Sequence, residues 1–171
     1  HVQVERDAEH RDGADRDELR HVFDVITERK NAEAALRDTS QQLAHMLANS
    51  PTVVYALQVE GGQAKAVWIS DNIATLLGFR PEEGLSPEWW PNQVYPDDRP
   101  QALKSLEHLL DDSYQQEYRL LRKDGRLVWL HDEHRLLRDA DGRPREIIGA
   151  WTDITPRKLA EAELRRHVMY L

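Results

Sequence analysis

There is no cysteine anywhere in the 171 residues. That excludes disulfides, thiolate nucleophiles and cysteine-ligated metal sites. Also missing is any apolar run near the roughly 20 residues that a membrane span needs, and no signal peptide is visible at the start. The eight histidines never fall into an HExxH or His-x-His spacing, so no metal site is expected. Glycine is sparse, and its one adjacent pair, Gly61-Gly62, suits a turn; nothing resembles a nucleophile elbow. Charge of one sign does not dominate either. The net charge of −8 is spread over well-mixed acidic and basic residues, which argues against a nucleic-acid surface. The pairs Glu82-Glu83 and Asp111-Asp112 read as loop and helix-end solvation. No catalytic residues are expected.

What is there fits one domain of ordinary size plus extensions. The chain starts without methionine and stops inside a helical run, so it reads as a fragment of a longer, cytoplasmic protein, with no direct membrane contact of its own. Val25–Arg37 and Asp153–Arg165 match at 9 of 13 positions with a constant offset of 128. A repeat of about one domain length points to tandem copies of a unit. Residues 1–27 then read as the closing strands of a preceding copy, with Arg6-Asp7-Ala8 echoing Arg138-Asp139-Ala140. Val25 stands where the second copy has Asp153, and the turn between the strands is longer and more charged.

Residues 28–49 form a linker helix by propensity, without internal Gly or Pro. Ala32, Leu36, Thr39, Leu43 and Met46 are spaced 4, 3, 4 and 3 apart, a heptad seam. Ala160, Leu164, His167 and Leu171 repeat the phase beyond the domain. So short a seam fits a parallel homodimer or a surface helix lying on its own domain; the in-phase echo favours the homodimer.

Residues 50–155 carry a compact α+β pattern. Val53–Val59 and Ala64–Ser70 flank Gly61-Gly62 as a hairpin. Ser70-Asp71-Asn72 reads as a helix cap before Ile73, Leu76 and Leu77, with Gly78 ending that helix. Pro81–Asn92 reads as irregular, with Trp89 and Trp90 needing cover. Asp97-Asp98 is expected to cap a helix with Leu103, Leu106 and Leu110 on one apolar stripe. Tyr114–Arg122, Arg126–Arg138 and Arg145–Ile154 follow as strands, joined through Asp124-Gly125 and Asp141-Gly142. The order implies a five-stranded antiparallel sheet with short helices on one face, and residues 156–171 leave it as an outgoing helix. At that exit Thr155 is expected to cap the helix, Pro156 to open it, and Asp153 to pair with Arg157.

Trp68-Ile69-Ser70-Asp71-Asn72 through Leu77-Gly78-Phe79 resembles the first half of a PAS domain. Tyr95-Pro96-Asp97-Asp98-Arg99, Glu117-Tyr118-Arg119, Lys123-Asp124-Gly125, Trp129 and Gly149–Lys158 resemble the second half. Tyr95 departs from the pattern, since close relatives often have His there. The resemblance covers about residues 48–158. It implies the PAS fold, with strand order 2-1-5-4-3, and a bacterial sensory module that detects a small ligand, cofactor or protein state. It also implies that Asp153, Thr155 and Arg157 form the signal junction to an output domain in the same chain.

Alignment on flavin-binding relatives puts Tyr118, Leu120, Leu130, Asp132, His134 and Trp151 on the inner face of the sheet. Alternation along each strand agrees, and Asp132 with His134 would make a polar pair in an apolar wall. A strand parity shifted by one would instead leave both in water. No cofactor is expected, though an unknown small ligand fits the family. The light-sensing branch needs a cysteine for its flavin adduct, and Trp151 stands where that branch has a flavin-contacting Gln. Haem-binding relatives use a helical His, for which His108 is the only candidate, and it falls off the apolar stripe. The rival readings are a ligand-free interaction or spacer module packed shut by Trp151, and a small enzyme using Asp132 and His134 as acid and base. Ala160–Leu171 resembles linkers into GGDEF-type diguanylate cyclase domains, with histidine kinase as the alternative output.

Overall fold

The computed structural model describes the backbone of residues 2–170 and the side chains of residue 13 and residues 15–170. The chain divides into two units, His1–Leu43 and Ala44–Leu171.

The first unit is helix. The helix α1 runs over Val2–Ala48, so the helix expected over residues 28–49 is continuous as far as Ala48. The closing strands expected within residues 1–27 are not found: the backbone of residues 2–27 is helical too. The repeat itself explains the difference. In the second copy Pro156 halts the strand and starts a helix, whereas the equivalent residue here is Glu28, which interrupts nothing. Arg6-Asp7-Ala8, the expected echo, has side chains outside the described residues. Leu36, Leu43 and Met46 are all exposed along α1.

The second unit is built on a sheet of five antiparallel strands in the order β2-β1-β5-β4-β3, as expected. They are β1 (Thr52–Glu60), β2 (Gln63–Ile69), β3 (Ser113–Leu121), β4 (Leu127–Arg138) and β5 (Pro144–Asp153). Gly61 and Gly62 both have positive φ, 58° and 78°, as a tight two-residue hairpin turn requires. Between β2 and β3 lie four short α-helices, α2 (Ile73–Leu77), α3 (Pro81–Gly84), α4 (Trp89–Gln93) and α5 (Arg99–Leu103), and two 3-10 turns, Pro96–Asp98 and Lys104–His108. Gly78, in the left-handed conformation, closes α2 by donating to the Ala74 and Ile73 carbonyls. The helix α6 (Thr155–Met169) leaves β5.

Four local expectations fail. Ser70 and Asn72 do not cap α2. Ser70 Oγ accepts from Val54 N–H, and Asn72 Nδ2 donates to Thr52 O at 2.6 Å. Both side chains are spent tying α2 to β1. The segment 81–92 is not irregular, because α3 and α4 give it two short helices. Nor do Leu103, Leu106 and Leu110 form a buried stripe. After Leu103 the helix tightens to three residues per turn over Lys104–His108, so the buried face continues from Ala102 to Ser105 and leaves Leu106 and Leu110 exposed. Asp98 caps nothing and instead meets Arg119.

The core lies between the inner face of the sheet and these helices. It joins Val53, Tyr55, Ile69, Tyr118, Leu120, Val128, Leu130 and Trp151 to Ile73, Leu77, Phe79, Trp89, Val94 and Ala102. Among the described residues no helix is long and apolar enough to cross a membrane.

Candidate functional site

Strand parity decides which side chains meet in the middle. Tyr118, Leu120, Leu130, Asp132, His134 and Trp151 all lie on the inner face, and each is at most 6% exposed. Leu120 and Leu130 are packed into the core. Asp132, His134 and Trp151 line a cavity of about 400 Å³, with Tyr55, Trp90, Leu57, Ile69, Ser105 and Leu109 among the other walls. Tyr118 stands behind Asp132 and acts on the cavity through it.

Asp132 is the centre of this arrangement. Its Oδ1 accepts from the Tyr55 hydroxyl at 2.7 Å and its Oδ2 from the Tyr118 hydroxyl at 2.9 Å. Tyr118 in turn accepts from the Trp90 indole N–H at 2.8 Å. The Trp151 indole N–H is buried without a hydrogen bond of its own, yet it lies close enough to favour the ionised carboxylate. Burial wins. It pushes the Asp132 carboxyl above the usual range, against the pull of the two hydroxyls and of His134. The same burial, reinforced by the carboxylate, pushes both tyrosine hydroxyls well above their ordinary value, so they remain donors. His134 Nε2 faces the His108 carbonyl oxygen at 3.4 Å rather than Asp132. His108 itself points outward, with Nδ1 at 2.7 Å from Asp111 and its ring stacked on Tyr114.

The raised carboxyl has a consequence for stability. As pH rises from the ordinary carboxylate range, the unfolded chain gives up its proton first, so ionisation favours unfolding until the buried carboxyl follows. The contribution of Asp132 is therefore greatest at low pH and is lost as pH rises through the raised value. Urea midpoints of the wild type and Asp132→Asn, taken from pH 4.5 to 8, should shift in favour of the variant with rising pH. A shift in the opposite sense would mean that Asp132 is held ionised.

Three participants escaped the sequence reading. Tyr55 reaches Asp132 only because its cross-strand partner is Gly149, where a Cβ would collide with the tyrosine ring. Trp90 stands out in the sequence only as a residue needing cover. Glu117 belongs to the exit. The alternation Val53, Tyr55 already marks one face of β1, but no spacing rule shows which hydroxyl will cross two strands.

The exit is wired differently from the expectation. Asp153 does not pair with Arg157. Its Oδ1 accepts from the Thr155 N–H at 2.9 Å, while Arg157 reaches across to Glu117 at 2.8 Å. Asp153 is held two residues away by its own strand end, and the β3 carboxylate lies within reach of the guanidinium. Thr155 does not cap α6; its Oγ1 accepts from Trp129 N–H at 3.0 Å. The Ile154 N–H donates back to the Trp129 carbonyl at 2.9 Å. The Trp129 ring lies between two cations, Arg119 at 5.1 Å and Lys158 at 4.8 Å. Burial pushes the Glu117 carboxyl up, but Arg157 and Lys158 outweigh it and hold it below the usual range. Arg119 continues the chain to Asp98, donating from Nε at 2.9 Å and from Nη2 at 2.7 Å.

A family model described as the PAS fold matches residues 66–151, half of the chain. The chain belongs to the PAS family. Among curated relatives, it is 31% identical over 150 residues to the two-component sensor PprA of Pseudomonas aeruginosa. It is 30% identical over 147 residues to the methyl sulfide methyltransferase-associated sensor of Methanosarcina acetivorans. Those alignments span 84% and 82% of this chain but only 16% and 14% of the relatives. Among solved structures, the N-terminal domain of a diguanylate cyclase with PAS/PAC sensor from Marinobacter aquaeolei superposes with a TM-score of 0.53. It is 24% identical and covers 63% of this chain and 98% of that one. A sensory box histidine kinase/response regulator from Burkholderia thailandensis gives 0.52 at 24% identity, covering 76% of this chain and 98% of that one. At such identities the structures speak for the fold alone. The chain carries a PAS sensory domain of the kind found in signalling proteins.

Proposed function

We propose that this PAS domain senses a small molecule in its central cavity and relays the bound state through α6 to an output domain in the same chain. One observation carries the reading. The strand β5 presents Trp151 to the cavity and, two residues later, uses Asp153 to hold the first N–H of α6. A ligand that moves Trp151 moves the attachment of the helix with it. The ligand-free spacer reading needs Trp151 to fill the space, and it is the weaker one beside a cavity of about 400 Å³. The acid–base enzyme reading is weaker still, since both Asp132 oxygens already accept from tyrosines.

The test couples the two ends. Small molecules that raise the melting temperature should change amide exchange at residues 153–160 by several-fold. Stabilisers that leave those amides untouched would speak for a spacer.

For the output, the run Ala160–Leu171 favours a diguanylate cyclase, and the likeness to sensors such as PprA favours a histidine kinase as the second reading. The codons that follow Leu171 distinguish them: an Asp-x-Leu-Thr-Gly-Leu-like run for the cyclase, a transmitter His-Glu motif for the kinase. Either output acts as a pair of catalytic domains, for which a cytoplasmic homodimer along the α1 seam is the natural arrangement. Ala32, Leu36, Leu43 and Met46 line that seam, and Leu164 is exposed in phase on α6; Leu171 lies outside the described residues. Lysine at both Leu36 and Leu43 should give monomers by sedimentation, and an unchanged mass would count against the seam.

A further inference from the structure

The walls of the central cavity carry a chemical preference of their own. Taking that cavity as the ligand site, we propose that its ligand is a small organic cation, an ammonium-type group on an apolar body, with Asp132 as counter-ion and the Tyr55, Trp90 and Trp151 rings as walls.

Among the described residues, Asp132 is the only acidic one lining the cavity. Its two hydrogen bonds come from neutral hydroxyls rather than from a Lys or Arg. An ionised carboxylate offers about four acceptor positions, and the tyrosines use two of them. A buried carboxylate without a cation is costly, and a cationic ligand removes that cost by entering. The surrounding rings act in the same direction. Trp and Tyr faces carry negative potential, and cations settle within about 6 Å of such centroids. Tyr55 and Trp151 lie together with ring centroids 4.8 Å apart, next to the carboxylate they flank.

The alternatives fit worse. An anion would meet a carboxylate and three electron-rich rings, with His134, already turned to the His108 carbonyl, and the exposed Lys65 as the basic groups among the described lining residues. A purely apolar ligand would cover the unused Asp132 lone pairs without offering them a donor, which is costly for a buried acceptor. The cavity volume admits a body of one or two rings beside the charged group.

The experiment uses the full chain and three probes with one apolar body: 2-phenylethylammonium, 2-phenylethanol and 3-phenylpropionate. Affinities are read at neutral pH by calorimetry and by saturation-transfer NMR. The ammonium probe should bind at least tenfold more tightly than either of the others, and Asp132→Asn should abolish that preference. Trp90→Leu keeps an apolar wall but removes one of the rings, so it should weaken the ammonium probe severalfold while changing the alcohol little. That variant decides the matter if Asp132→Asn does not fold. Equal or tighter binding of the alcohol or the carboxylate, a preference that survives in Asp132→Asn, or an equal loss for ammonium and alcohol in Trp90→Leu overturns the proposal. If the neutral probe binds best, the ligand class falls and the sensory cavity stands. If none of the three binds in the millimolar range, the cavity reading falls with it.

Discussion

Replacing Gly149 with valine should unfold or nearly unfold the PAS domain. Gly149 sits opposite Tyr55 across the β1–β5 ladder, and any Cβ there would occupy the space of the tyrosine ring. The ring cannot swing aside cheaply, because it packs on Trp151 at 4.8 Å and its hydroxyl is bonded to Asp132. Overpacking a close-packed site costs about 1–3 kcal/mol. Leaving a buried Asp132 oxygen without its donor adds roughly 1–3 kcal/mol. Together these, about 2–6 kcal/mol, reach the low end of the whole stability of a small domain, about 5–15 kcal/mol. Gly149→Ala should be milder but still destabilising. The diagnostic result is the pair: Tyr55→Ala combined with Gly149→Ala should be less destabilised than the two single changes added together, since the collision is then gone. Additive urea midpoints would show that Gly149 is needed for something other than room for Tyr55.

That requirement is invisible in the sequence, where Gly149 is one more glycine in a strand. What was legible there follows from local chemistry. The turns at Gly61-Gly62, Gly125 and Gly142 depend on positive φ, which glycine alone adopts at no cost, and they appear where expected. The inward set from Tyr118 to Trp151 comes from alignment on flavin-binding relatives; a period of two shows which of them share a face but not which face is inward. What was not legible depended on competition between partners. Arg157 had Asp153 four residues away and Glu117 forty residues away, and only the fold shows that the distant carboxylate is the nearer one in space. Likewise Ser70, Asn72, Asp98 and Thr155 are good capping residues by type, but each found a partner that only tertiary structure supplies. The N-terminal repeat misled for the opposite reason. Its similarity is real, but with Glu28 in place of a proline nothing stops the helix, and Val2–Ala48 runs straight through.

The largest effect at the exit should come from Trp129→Ala. The backbone of Trp129 already anchors the start of α6 through Thr155 Oγ1 and the Ile154 N–H, and the substitution leaves both bonds possible. What it removes is the ring shared by Arg119 on β3 and Lys158 on α6. Each cation over a partly exposed ring contributes about 0.5–1 kcal/mol. Losing the half-buried indole surface adds to that, so a fall of about 2 kcal/mol in stability is expected. The more telling change is local. Without the ring, Lys158 is held only by Glu117 at 3.5 Å, a pair partly open to solvent and weak on its own. Amide exchange in the first two turns of α6 should therefore speed up by at least tenfold, while the central amides of β4 and β5 slow or quicken only with global stability. In a longer parent protein the same variant should disconnect output from sensing, fixing it at one level whatever occupies the cavity. Uniform acceleration across sheet and helix would make Trp129 an ordinary core residue. Faster exchange confined to α6, with signalling intact, would remove the helix from the relay.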